Sequence, residues 1–432
     1  MVGWDSDGGH RLGSGWGGVG RDTCGMATNT DRYAFLPGAP DYPTIVGGDG
    51  VFLIADDGRR ILDAAAGAIV GNIGWGRTEV AAAAAAVMPM GYVVPLWPTP
   101  SRLALKDELV QHWLPKGMGN VFFTSGGSES TDSALRLARA YQVAKGRPDR
   151  WKIIGRHPSY HGMTLGTIAA ASHLGRQKGY EPMLLPFPKV PWDDPEQVLK
   201  VIEQEDPATI AGFIAEPMTG AAGACLTASD EYWRTVTEVC KANDILLIAD
   251  EVMTGYGRTG ITWGHQHFPF DPDVIVGGKG LGGGYVPLGA VAATDEVVEA
   301  LTGSGFMYFT FTGNEAACAA GTEVLQILRR ENLVARAAEM GVVLERRLRE
   351  ELESHPAVVE IRGKGLFWGL ELRCNRDDVV NAALERDMWV YPAGSGPVAD
   401  AVMVAPAFVV TADEIDQIVQ RLRSALDAVH PG

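Results

Sequence analysis

Asp273-Val-Ile-Val-Gly-Gly-Lys279-Gly-Leu-Gly-Gly-Gly-Tyr285 sets a lysine directly after a short apolar run and surrounds it with glycines. A lysine placed there is poorly solvated, so its ammonium gives up a proton readily and can act as nucleophile or base. The glycines resemble a nucleotide loop, but no Ser or Thr follows the lysine as a P-loop needs, and the G-x-G spacing opens no helix. Upstream, Ile245-Leu-Leu-Ile-Ala-Asp250-Glu251-Val252 repeats the design, with a carboxylate ending the apolar run. An unpaired buried carboxylate costs roughly several kcal/mol. Asp250 therefore calls for a cationic partner, and an ion pair to an arginine is the plainest reading. Asp250 and Glu251 are neighbours in a strand and point to opposite faces, so they cannot share one substrate bond as an acid/base pair.

Outward from these two stretches, short apolar runs alternate with helical patterns, the mark of βα units on a largely parallel sheet. The predicted strands are 120–123, 152–155, 211–215, 245–249, 274–276 and 288–292, apolar throughout as strands covered on both faces should be. Helical patterns at 128–141 and 231–243 lie between them. A long helical stretch over 322–355 then precedes a compact α+β tail with strands at 358–361, 366–372 and 401–404. That tail argues for a second, smaller domain.

Ligands of an open parallel sheet sit at the carboxyl ends of its strands, which directs attention to two further places. Thr124-Ser125-Gly126-Gly127-Ser128 joins a strand to a helix start, where small residues and free amides suit a phosphate. A tight turn capped by Ser128 explains the same residues. His157-Pro-Ser-Tyr160-His161-Gly162 follows the strand at 152–155; Pro158 breaks any helix that would present the two histidines as a zinc pair. Tyr160 offers an aromatic face for a flat ligand, or a place in the core.

Composition removes other function classes. The 432 residues are 46% hydrophobic and 21% charged, enough for a large core and more than one folding unit. A formal charge of −16 without a Lys/Arg-rich run speaks against nucleic acid and anionic lipid as partners. The five cysteines are scattered and never form C-x-x-C, which fits a reducing cytoplasm and no metal site. The uncharged stretch 80–97 has the length of a membrane span, but its alanines, Pro89, Gly91 and Pro95 predict a buried helix ending near Pro89 instead. Residues 1–25 hold nine glycines and no apolar run, so a disordered extension is expected there.

Six strings in order resemble a class III (omega-type) aminotransferase, a pyridoxal phosphate (PLP) dependent family of fold type I. They are FFTSGGSESTDSALRLAR at 122–139, SYHGMT at 159–164, FIAEPMTGAAG at 213–223, LLIADEVMTGYGRTG at 246–260, DVIVGGKGLGGGYVPLGAV at 273–291 and FTFTGNEAACAAG at 309–321. The resemblance runs from about Tyr33 to the C-terminus. It implies an α/β fold: a mostly parallel seven-stranded sheet in a large domain, 81–322, and a smaller α+β domain built from 26–80 and 323–432. It further implies that Lys279 holds the cofactor as a Schiff base and moves the proton, and that Asp250 faces the pyridine nitrogen and keeps it protonated. Gly127 and Ser128 match the phosphate loop, with Gly126 standing in it where many relatives have a serine; Tyr160 and Val252 match the residues on the two faces of the ring, and Glu216 a glutamate near the cofactor. Thr310 matches a threonine that reaches the neighbouring subunit's phosphate, which implies a homodimer with shared active sites, with pairing of dimers into tetramers left open. The implied reaction is ping-pong transfer of an amino group from an amine or ω-amino acid to a keto acid such as pyruvate. An isomerase or decarboxylating enzyme would use the same Lys279 and Asp250, and a non-catalytic PLP-binding homologue is a third reading.

One departure matters. Many relatives grip a substrate carboxylate with an arginine near the C-terminus, but Met388-Trp-Val-Tyr-Pro-Ala-Gly-Ser-Gly-Pro397 contains none. Arg258 belongs to the GRTG turn and is read as structural. The apolar stretches 92–97 and 66–70 suit either a hydrophobic substrate pocket or the core.

Overall fold

The computed structural model describes residues 42–301 and 308–430. The expected extension at 1–25 lies outside the described residues. Residues 42–44 carry no regular element, and the compact unit that holds every strand and helix named below begins at Ile45.

Seven strands form the central sheet in the order Asn120–Thr124, Gly289–Ala293, Val274–Gly277, Leu246–Asp250, Ile210–Ala215, Lys152–His157 and Lys189–Pro191. Gly289–Ala293 runs antiparallel to both neighbours. The pairings among the other strands are parallel. Ile210–Ala215, Leu246–Asp250, Val274–Gly277 and Gly289–Ala293 are buried at every position, which is why they read as unbroken apolar runs. Alternate side chains separate onto two faces. Leu246 and Ile248 join Ala134, Leu137 and Ala138 of the helix Gly127–Ala144. Leu247 and Ala249 join Tyr232, Trp233 and Val236 of the helix Asp230–Ala242. By the same alternation Asp250 and Glu251 part company.

A second, antiparallel sheet has the order Val358–Lys364, Phe367–Leu372, Val398–Val404, Tyr391–Ser395. A third brings distant parts of the chain together: Ile45–Asp49, Phe52–Ala55 and Arg60–Asp63 form a meander, and Met388–Trp389 adds parallel to Arg60–Asp63.

Three expectations need correction. The helical stretch 322–355 is two helices, Glu315–Arg330 and Leu333–Leu352, separated at Asn332, whose φ of 53° is left-handed and ends the first helical run. The alanine-rich helix Thr78–Val87 does end before Pro89, yet only Val80 in it is buried. It rests on the core along one edge, through Val80 and Ala84, and leaves its other methyls outside. The segment 92–97 is neither core nor part of the Lys279 cavity: Tyr92, Leu96 and Trp97 are 55%, 72% and 67% exposed. No helix among the described residues is long and apolar enough to cross a membrane.

Candidate active site

Five strand ends converge at the carboxyl edge of the sheet. In-register pairing of Ala249 with Ala215 and of Asp250 with Val276 sets Glu216, Asp250 and the Gly278-Lys279 turn side by side. One cavity of about 140 Å³ is lined by Gly127, Ser128, Tyr160, Glu216, Asp250, Val252 and Lys279, together with His161, Gly162 and Met253. Seven of the nine residues singled out from the sequence thus share a wall. Gly126 stands just outside, as the residue before the helix Gly127–Ala144; Thr310 does not line this cavity and is exposed.

Lys279 has a φ of +40°, a left-handed conformation that costs a non-glycine residue about 1–3 kcal/mol and persists only where its surroundings enforce it. The enforcement is visible at Gly278, where an added Cβ would lie 3.2 Å from the backbone of Gly127. A larger residue there would force the lysine turn and the helix start apart by a few tenths of an ångström. Burial pushes the Lys279 ammonium down to about 8, against the pull of Asp250 and Glu216 upward.

Asp250 has its cation-capable partner, but it is a histidine rather than an arginine. His161 Nδ1 lies 2.7 Å from Asp250 Oδ2, and Val252 N–H donates to Oδ1 at 3.1 Å. An ionised carboxylate only accepts, so Nδ1 carries the hydrogen. His161 Nε2 is buried with no partner among the described residues. Glu216 is buried as well; its two oxygens accept from Tyr160 N–H and Gly220 N–H, both at 2.9 Å. Desolvation, helped by Asp250 and opposed by His161, pushes its carboxyl upward.

Glu251 faces away from the cavity and holds the following turn, accepting from Gly264 N–H at 2.9 Å and His265 N–H at 2.7 Å. Arg258 is structural as expected: Nη1 donates to the carbonyls of Leu366, Ala405 and Pro406, and its guanidinium lies 4.6 Å over Phe408. The two histidines of the 157–162 turn go separate ways, His157 to Ser172 Oγ at 2.7 Å and His161 to Asp250. Among the described residues no cluster could hold a metal ion. The sequence reading considers His161 only as a zinc ligand; the open partner position at Asp250 is the signal for its role.

The remaining apolar segment forms a surface of its own. Tyr92 packs edge-on against Phe311 with ring centroids 6.1 Å apart. Leu96 and Trp97 line a cleft of about 430 Å³ with Tyr308 and Thr312.

Comparison with known proteins agrees with this geometry. The family model for class III aminotransferases matches residues 39–426. The chain is 35% identical to the acetylornithine aminotransferase of Aquifex aeolicus, over 92% of this chain and 99% of that one. It is 34% identical to the putrescine–pyruvate aminotransferase of Pseudomonas aeruginosa, over 88% and 89%. Among solved structures, the (S)-enantioselective omega-transaminase of Thermomicrobium roseum superposes with a TM-score of 0.86 at 32% identity, covering 93% of this chain and 97% of that one. With a family model spanning most of its length and relatives of this identity across nearly all of theirs, the chain belongs to the class III aminotransferases, PLP-dependent enzymes that move amino groups between amines or amino acids and keto acids.

Proposed function

We propose that this enzyme binds PLP in the Lys279 cavity and transfers an amino group from an amine or ω-amino acid to a keto acid such as pyruvate. The observation that carries the proposal is the meeting, in one cavity, of a lysine held near 8, a buried aspartate and a helix start. The residues present fit the cofactor. The amides of Gly127 and Ser128 belong to the first turn of an eighteen-residue helix, whose positive end suits a phosphate. Tyr160 and Val252 supply an aromatic and an apolar wall. His161 Nε2, buried without a partner, fits a cavity built for a polar occupant.

When bound, PLP supplies an aldehyde that takes up the amino group and a ring that holds the electron pair released as the substrate carbon loses its proton. Lys279 is the base: with its ammonium depressed, it accepts and returns that proton near neutral pH. Asp250, oriented by His161 and Val252 N–H, would keep the ring nitrogen of the bound cofactor protonated. Glu216, its carboxyl pushed upward by burial, fixes the Tyr160 and Gly220 backbone at the cavity wall.

We also infer a homodimer with shared sites. Tyr92, Leu96, Trp97 and Phe311 are exposed apolar side chains that a neighbouring copy would cover, and the exposed Thr310, next to Phe311 in the chain, supports a role toward a neighbour's phosphate. A large domain, 81–322, and a smaller one from 26–80 and 323–432 follow from the same reading, as does a cytoplasmic home for cysteines that are all unpaired among the described residues. The test is product analysis: PLP-loaded protein with a panel of amines and pyruvate should form alanine. Absence of alanine with every donor, and of any other amino acid with other keto acids, would count against the reading.

A further inference from the structure

If the acceptor is a keto acid, some cation must hold its carboxylate, and residues 388–397 provide none. This inference rests on the proposed function for its substrate and on the structure for its residue. The basic side chains around the cavity are mostly committed. Arg258 is fully buried outside the cavity lining, where Nη1 donates to three carbonyls and Nη2 has no partner among the described residues. Arg156 donates to Glu216 O at 2.6 Å and Thr219 Oγ1 at 2.9 Å, and lies 4.9 Å over Trp233. Lys189 gives its ammonium to the carbonyls of Ala169 and Phe187.

Arg176 is different. Its guanidinium lies 4.3 Å over the ring of Tyr160, a cavity residue, and Nη1 stands 3.6 Å from Met163 Sδ, next to the cavity residue Gly162. Among the described residues its guanidinium forms no ion pair and donates to no oxygen. A half-buried guanidinium with five donors, met within the described residues only by a thioether and a π face, keeps donors free for an anion. Its backbone is fixed in place. The short helix Leu174–Gln177 is tied by Leu174 N–H to Ser395 Oγ at 2.9 Å and by Gln177 Nε2 to the carbonyls of Ile168 and Ala171. The carboxylate that would compete for it, Glu216, is already satisfied by two backbone amides. The positive charge of Arg176 is also felt inside the site: it adds to the burial that lowers the Lys279 ammonium and opposes the burial that raises the Tyr160 phenol.

We propose that Arg176 binds the carboxylate of the keto acid, and of any amino-acid donor, at the mouth of the Lys279 cavity. A planar fork leaving the face of Tyr160 for a carboxylate trades a weak contact for paired charge-assisted hydrogen bonds. Carboxylate recognition thus comes from the 174–177 helix instead of the C-terminal segment.

The experiment compares wild type, Arg176→Gln and Arg176→Lys, all PLP-loaded. Calorimetry gives dissociation constants for 3-phenylpropionate and for 3-phenylpropan-1-ol, which differ only in the charged group and need no turnover. Wild type should prefer the carboxylate; that preference should shrink at least about tenfold in Arg176→Gln and partly return in Arg176→Lys. KM for pyruvate should rise by a similar factor, more than kcat falls. An unchanged preference in Arg176→Gln would overturn the assignment, and so would a parallel loss of PLP affinity, which would give Arg176 to the phosphate. Failure of wild type to transfer amino groups would sink the proposed function alone, because the carboxylate preference is read without it.

Discussion

The proton on Lys279 gives the sharpest test of the site's electrostatics. Burial holds its ammonium at about 8 instead of 10.5, which amounts to about 3 kcal/mol against the charged form. At pH 7 about one molecule in ten then carries the neutral amine, against about one in three thousand for an ordinary lysine, a gain of roughly 300-fold. Asp250 opposes the depression and Arg176 adds to it. Asp250→Asn, which keeps the shape and an acceptor for His161, should therefore move the lysine below 8, whereas Arg176→Gln should move it above. The assay is the rate at which an amine-selective reagent modifies Lys279 in cofactor-free protein across pH, located by peptide mass spectrometry. Titration of wild type near 10.5, or an upward move in Asp250→Asn, would refute the reasoning.

Three further outcomes are expected. Lys279→Met should abolish amino transfer and, by removing a buried ammonium, stabilise the cofactor-free fold by about 1–3 kcal/mol at pH 7 in urea melts. The folded value lies below the unfolded one, so wild type should regain that stability between about pH 8 and 10.5 while the variant does not; a less stable variant would contradict the desolvation. Asp250→Ala should weaken PLP binding about 10- to 150-fold in equilibrium dialysis, the equivalent of one charge-assisted hydrogen bond, with no change meaning that Asp250 only braces His161. Trp97→Glu should loosen the dimer by about 30-fold or more in sedimentation analysis and lower PLP retention with it, since each site is shared; an unaltered sedimentation profile would remove this surface from the interface.

The central sheet can be read from sequence because strands such as Leu246–Asp250 are covered on both faces and leave unbroken apolar runs. The strand Lys189–Pro191 escapes such a reading: three residues with only Val190 buried carry no period. Met388–Trp389 is invisible for a different reason, since it is a strand only by pairing with Arg60–Asp63, far away in the chain. Across Asn332 the apolar pattern continues, so only the left-handed backbone marks the break. The opposite facing of Asp250 and Glu251 follows from strand alternation alone. The partner of Asp250 does not, because His161 reaches it across 89 residues of sequence and only the fold closes that distance. The alanine-rich helix and 92–97 mislead because apolar composition speaks for a covered surface without saying which chain covers it.

Amino transfer itself is tested most directly by the visible absorption of PLP-loaded protein before and after adding amines and amino acids with no keto acid present. A transaminase predicts loss of the visible band with some donors, release of the matching carbonyl in equal amount, and return of the band on adding pyruvate or another keto acid. A band that every donor leaves unchanged, or one that bleaches and returns without any keto acid, would contradict it.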